Sequence, residues 1–286
     1  MENYINEYME IYKNCKAYKF KPEMVLNNNQ RIIMGSLDIA VNTYCTLKCK
    51  GCASLISLYD KGSNQQIEVV LDALDKLLNN VNVILRVNIL GGEPFLYPDL
   101  RKLISYMNKQ EKIQKVYVMT NGTVFLEDLD LVKDLKDSKN EVRISEYVSF
   151  KKKQGGLKTY LKQNGISCTV KTYSNGKFQW YYYGNFAKRK RTEQEKHEQM
   201  KNCSVEAQYL YNGKLYMCPR IAHGCELGLI PRADDDRWIT FADDTAEDIQ
   251  RKLHAMIFRK YLYTACDYCN RGTNDIKQIS VAEQFQ

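Results

Sequence analysis

No apolar run in the 286 residues approaches the ~20 needed to span a bilayer. The opening Met1-Glu2-Asn3-Tyr4 lacks the basic-then-apolar order of a secretory signal. Both absences predict a cytoplasmic chain with no membrane partner. Prolines number only five and hydrophobic residues make up 44%. With little low-complexity sequence and no internal repeat, that composition excludes a disordered or solenoid protein. Histidine is scarce: His197, His223 and His254 share no metal-ligand spacing and read as surface or structural residues.

Two totals stand out against these absences. The formal net charge is +8, partly from Lys151-Lys152-Lys153 and Lys188-Arg189-Lys190-Arg191. Neither run is long or interleaved with aromatics, so they read as solvated faces and not as a nucleic-acid footprint. An anionic small substrate fits the same balance. Cysteines number ten, and in a reducing compartment such a count points to metal or redox chemistry more than to disulfides.

The chain length allows one large domain or two modest ones. Residues 1–34 form a polar lead-in with a helix expected around Asn6–Ala17 and Cys15 within it. Residues 35–185 alternate. Strands are expected near 36–41, 83–90, 115–119, 141–145 and 166–172, and helices near 66–78, 100–107, 126–135 and 156–163. That rhythm predicts an α/β fold of parallel strands with crossover helices, an open sheet or a barrel, with ligands collecting at the C-terminal strand ends. The third unit, residues 186–286, breaks the rhythm. Asn212-Gly213 between aromatic-rich runs predicts a β-hairpin, and a helix follows over 246–261.

Directly after the first strand, Cys45, Cys49 and Cys52 stand in a C-x3-C-x2-C spacing. Three thiolates can hold three irons of a cubane 4Fe–4S cluster and leave the fourth iron open, as a catalytic metal requires. Zinc is poorly matched, because no fourth ligand is local. Gly91-Gly92-Glu93-Pro94 closes the second strand, Thr120-Asn121-Gly122 the third and Ser145-Glu146 the fourth. The glycines permit close backbone approach, and Glu93 or a carbonyl can meet an ammonium.

Together these motifs resemble the radical S-adenosylmethionine (SAM) superfamily. The resemblance implies a partial (β/α)6 TIM-type barrel whose open iron chelates SAM. It also implies SAM contacts at Gly91, Gly92 and Glu93, and at Asn121 and Ser145 toward the ribose or carboxylate. The residue before the last cysteine, often aromatic in that family, is Gly51, which leaves a backbone contact there. Glu146 or Tyr147 is a candidate base beside the SAM site.

A second group of cysteines follows. Cys203 and Cys218 flank the hairpin, and Cys266-Asp267-Tyr268-Cys269 lies beyond the last helix. By spacing alone, four-cysteine zinc and an iron–sulfur cluster are equally compatible. Beside the first motif, the pattern resembles the twitch domain, a short relative of the SPASM domain. That implies an auxiliary 4Fe–4S cluster, fully ligated and suited to electron transfer. Cys168 reads as a buried small hydrophobe. Cys225 is a loop thiol or, by analogy with radical SAM epimerases, a hydrogen donor. Arg220 can bind substrate or pair with an acid, and Trp180 can stack on substrate or simply pack.

The expectation is a radical SAM oxidoreductase or epimerase with two 4Fe–4S clusters. It would cleave SAM reductively to a deoxyadenosyl radical and take hydrogen from a sugar-, aminocyclitol- or nucleotide-sugar-like molecule, with a flavodoxin- or ferredoxin-type reductant as partner. A peptide maturase or epimerase using Cys225 is the alternative within the family.

Overall fold

The computed structural model describes residues 32–174, 179–233, 237–257 and 262–285. The lead-in helix expected near Asn6–Ala17, Cys15 and the end of the helix expected over 246–261 lie outside these residues. So do the side chains of Lys151-Lys152-Lys153.

The 36–41 strand is β2 (Leu37–Ala40), preceded by a short β1 (Ile33–Met34). Helix α1 (Ile67–Asn80) buries Ile67, Val70, Ala73, Leu74, Leu77 and Leu78, the three-and-four spacing of one helix face. The single strand expected over 83–90 is two, β3 (Val83–Ile84) and β4 (Val87–Leu90). The chain jogs between them, and β3 pairs with β1 in a separate two-stranded sheet. Next come α2 (Leu100–Asn108), β5 (Val116–Thr120), α3 (Leu129–Asp134), β6 (Asn140–Tyr147), α4 (Lys151–Gln163) and β7 (Cys168–Tyr173). The remaining elements are β8 (Trp180–Tyr182), α5 (Glu193–Asn202), β9 (Gln208–Tyr211), β10 (Lys214–Tyr216), α6 (Pro219–Glu226), β11 (Ile239–Thr240), α7 (Ala246–Ile257) and β12 (Lys277–Ile279).

The main sheet has eight strands in the order β11-β10-β9-β2-β4-β5-β6-β7. Its members from β9 to β7 are parallel. The fold is thus the α/β, mostly parallel, open-barrel arrangement that was expected. One relation differs. The hairpin β9–β10 turns at Asn212 and Gly213, both at positive φ, but β9 also pairs parallel with β2. The hairpin expected in a separate unit therefore continues the barrel sheet, and both parts share one core. Trp180 and its neighbours form β8, which pairs with β12.

Register sorts the side chains of the sheet. Ile39, Ile89, Val118 and Val142 stand in one row and pack with Leu74, Leu103 and Ile104 of the helices. The adjacent row, on the opposite face, is Asp38, Asn88, Tyr117 and Glu141. This row of the inner face is polar, and the next row toward the C-terminal strand ends is Ala40, Leu90, Met119 and Arg143. Among the described residues, no helix is long and apolar enough to cross a membrane.

Candidate functional site

Four strand ends converge on the loop that carries Cys45, Cys49 and Cys52. From β4, the Gly92 N–H donates to Asn42 O at 3.0 Å and the Glu93 N–H to Tyr44 O at 2.7 Å. This approach is so close that a Cβ on Gly92 would collide with the Tyr44 carbonyl, and Gly91 sits at φ 144°; only glycine fits both conditions. From β5, Asn121 Nδ2 donates to Thr46 Oγ1 at 3.0 Å and lies 3.6 Å from Cys45 Sγ.

Glu93 departs from its expected role. Its carboxylate is fully buried and accepts from Thr120 Oγ1 (2.7 Å), the Asn121 N–H (2.8 Å) and the Phe95 N–H (3.2 Å). Burial pushes this carboxyl up to about 7. The side chain ties β4 to β5, so an ammonium at this loop would meet backbone carbonyls.

Ser145 and Tyr147 are held from α4 by Gln154, which the sequence reading missed. Its amide donates to the carbonyls of Asn121 (2.5 Å) and Ser145 (3.0 Å) and accepts from the Tyr147 N–H (3.0 Å). It is buried. A polar residue in the same buried row as Leu157 and Leu161 was the one available signal. Glu146 accepts from Thr172 Oγ1 at 2.9 Å.

Tyr147 packs between Tyr173 and Trp180, with ring centroids 5.6 Å from each. Burial drives its phenol well above the usual range, so it stays neutral and is a poor proton acceptor, contrary to the base role weighed for it. Trp180 belongs to the apolar group around Cys45, Cys49 and Cys52. It also explains Gly51: a Cβ there would collide with Ile279 Cδ1 and come within 3.2 Å of Trp180 Cε3. The space an aromatic residue would take is already filled.

The three thiols suit a metal that binds thiolate. Burial pushes Cys45 and Cys49 up to about 11, so no thiol ionises there without a cation. A coordinating metal supplies that charge and deprotonates its ligand.

The second cysteine group also converges. Cys203, Cys218, Cys266 and Cys269 line one cavity together with Arg220 and Arg271. Burial pushes Cys218 up to about 12 and raises Cys269. Arg220 pairs with no acid among the described residues. Its guanidinium donates to the carbonyls of Gly184 (2.8 Å), Asn185 (3.3 Å) and Tyr268 (3.0 Å) and lies 4.2 Å over the Phe186 ring. Its Nε is buried with no partner, and sulfur acceptors in the cavity would supply one.

The run Lys188–Arg191 is not merely a solvated face. The Arg189 N–H bonds Asp267 O at 2.9 Å, the Lys190 and Arg191 N–H groups bond the Asp267 carboxylate at 3.0 and 2.9 Å, and Arg191 reaches Cys269 O at 3.0 Å. These contacts shape the loop carrying Cys266 and Cys269.

Other expectations shift. Cys225 lies inside α6, not in a loop; it is buried in the main core with Sγ 3.8 Å from Pro231 O, and is not among the residues around Cys45. Cys168 is half-buried in β7. His223 is fully buried between Tyr59 and Tyr209 at 2.8 Å from each hydroxyl, and burial lowers it to about 3.

Comparison with known proteins agrees with this geometry. Residues 39–145 match the radical SAM superfamily. The antilisterial bacteriocin subtilosin biosynthesis protein AlbA of Bacillus subtilis (strain 168) is 33% identical over 120 residues, 40% of this chain and 26% of AlbA. A probable GTP 3',8-cyclase of Methanococcus maripaludis is 29% identical over 103 residues, 35% of this chain and 32% of the cyclase. The chain therefore spans only about a quarter to a third of these curated relatives. The crystal structure of BtrN in complex with AdoMet and 2-DOIA superposes with a TM-score of 0.58 at 14% identity, covering 89% of this chain and 98% of BtrN. That likeness concerns the fold. The cysteine loop locked to a Gly-Gly-Glu-Pro turn at the ends of parallel strands lies inside the span, residues 39–145, that matches the radical SAM superfamily.

Proposed function

We propose that the chain is a radical SAM oxidoreductase or epimerase that acts on a small polar molecule in the barrel lumen. Cys45, Cys49 and Cys52 hold a 4Fe–4S cluster, and SAM lies across Gly91, Gly92, Asn121 and Ser145. When bound, this pair supplies a hydrogen-abstracting deoxyadenosyl radical.

The chain's own contribution is to position the substrate and exclude water. The inner face offers Asp38, Asn88, Tyr117, Glu141 and Arg143, with Arg143 Nε 2.9 Å from Glu141 and its guanidinium 3.4 Å over the Tyr117 ring. These side chains can hold the polar groups of a hydroxylated or charged small molecule, with Leu90 and Met119 of the same face beside them. Tyr147, Trp180 and Ile279 close the apolar side of the cysteine loop.

Cys203, Cys218, Cys266 and Cys269 hold an auxiliary cluster whose role is electron transfer. The observation that supports it is the convergence of these four thiols, from α5, β10 and the segment after α7, on one cavity. A flavodoxin- or ferredoxin-type protein is the expected reductant.

Anaerobic protein loaded with iron and sulfide, then given SAM and dithionite, is expected to release deoxyadenosine. Cys45→Ala should abolish this, whereas Cys266→Ala should preserve it and lose substrate oxidation. Intact clusters without any deoxyadenosine refute the reading.

A further inference from the structure

The strap formed by residues 277–285 lies across the first cysteine loop, although more than two hundred residues separate the two in sequence. Its first part, β12, pairs with β8 and places Ile279 against Gly51. Its second part runs antiparallel beside the loop. The Lys50 N–H donates to Glu283 O and the Phe285 N–H to Lys48 O, each at 2.8 Å. Lys50 Nζ and Glu283 Oε1 are 2.6 Å apart, and Cys49 and Gln284 face each other in the bridge.

Gln284 occupies the centre of this contact, and all of its amide is used. Oε1 accepts from the Lys48 N–H at 2.6 Å. Nε2 donates to Ala282 O at 2.6 Å and to Cys49 Sγ at 3.1 Å. A flipped amide would set its oxygen against the Ala282 carbonyl and its NH2 against the Lys48 N–H, so the three partners fix which end faces the sulfur.

We propose that Gln284 is a positioning residue for the first cluster and sets its reduction potential through the N–H bond to Cys49 Sγ. The inference rests on the radical SAM reading above, since it requires iron at Cys49. A hydrogen bond to a ligating sulfur favours the more negative, reduced state of a cluster, and solvent exclusion acts on the same equilibrium. The neighbouring Lys50–Glu283 pair is exposed and screened by solvent, which leaves Gln284 as the specific polar contact to the sulfur from the strap.

The test is a redox titration of the loaded protein followed by electron paramagnetic resonance, reading the signal absent from a Cys45→Ala control. Gln284→Leu removes the donor. It is expected to lower the equilibrium constant for reduction roughly tenfold, which is about 59 mV for a one-electron couple. Gln284→Glu keeps the shape and the acceptor toward Lys48 but presents a carboxylate to the sulfur, and should lower the potential at least as far. An unchanged midpoint in Gln284→Leu overturns the proposal, and if that variant fails to load iron, Gln284→Glu decides in the same way. Should neither load, alkylation of the metal-free proteins is the readout: without the N–H donor that favours its thiolate, Cys49 should react several-fold more slowly relative to Cys45 than in the parent, and an unchanged ratio overturns the proposal. Failure of the parent itself to form the signal at Cys45, Cys49 and Cys52 counts against the superfamily chemistry, not against Gln284.

Discussion

Replacing Glu93 by glutamine tests whether the Gly-Gly-Glu-Pro carboxylate works as an internal tie. In the parent, burial raises this carboxyl from 4.5 to about 7. At 1.36 kcal/mol for each tenfold change in proton affinity, that rise amounts to about 3 kcal/mol. The native state holds the proton more tightly than the unfolded chain, so the contribution is complete below pH 4.5 and is lost as pH climbs through 7. The glutamine variant would carry no such dependence. Its amide oxygen can accept from one backbone N–H, but its NH2 must face the other, because both Asn121 and Phe95 present donors. Leaving one buried donor unpaired costs about 1–3 kcal/mol. Urea unfolding of metal-free, reduced protein is therefore expected to find the parent losing about 2.5 kcal/mol relative to Glu93→Gln between pH 5 and pH 8, so that a variant less stable than the parent at pH 5 matches or exceeds it at pH 8. Asp38, raised by burial to about 6, and His223, lowered to about 3, titrate in both proteins and cancel. A gap that stays constant from pH 5 to pH 8 would refute the buried-acid account.

Lys252→Met strands Asp244, whose two oxygens lie 2.8 and 2.9 Å from Nζ in a nearly buried pair; chemical denaturation should show a loss of about 3 kcal/mol, with iron content unaffected in the folded fraction. Gly51→Ala overfills the contact with Ile279 and Trp180 and should cost about 1–3 kcal/mol along with retained iron, and Ile279→Ala in the same chain should restore both, as read by melting temperature and iron analysis. Cys203→Ala should reduce anaerobically reconstituted protein from about eight irons per chain to about four, while Cys45→Ala and Cys52→Ala remove the complementary four.

What the sequence disclosed and what it withheld follow from the range of the interactions involved. The alternation of β2, β4, β5 and β6 with α1, α2 and α3 was readable because each element buries one face, and burial of one face imposes a period on its residues. The C-x3-C-x2-C loop was readable because its three ligands fit within one turn of chain. Asn212-Gly213 announced its hairpin through the positive φ that both residues adopt. Sheet membership of that hairpin was not readable, since β9 pairs with β2 from more than 160 residues away and nothing in Gln208–Tyr211 encodes a partner. The polar ties escaped for a related reason. Gln154, Arg220, Arg191 and Gln284 all act on backbone carbonyls, N–H groups or sulfur, and backbone groups are the same at every position, so no complementary residue type marks the target. Arg220 illustrates the consequence: an arginine beside a cysteine suggests an anionic substrate or a carboxylate partner, yet one of its terminal nitrogens is bound by three carbonyls. The same logic explains why residues 277–285 read as featureless. Their work is done on the first cysteine loop by two backbone hydrogen bonds, one exposed ion pair and one amide. None of these leaves a periodic trace, so the covering of the cluster loop is a property of tertiary pairing alone.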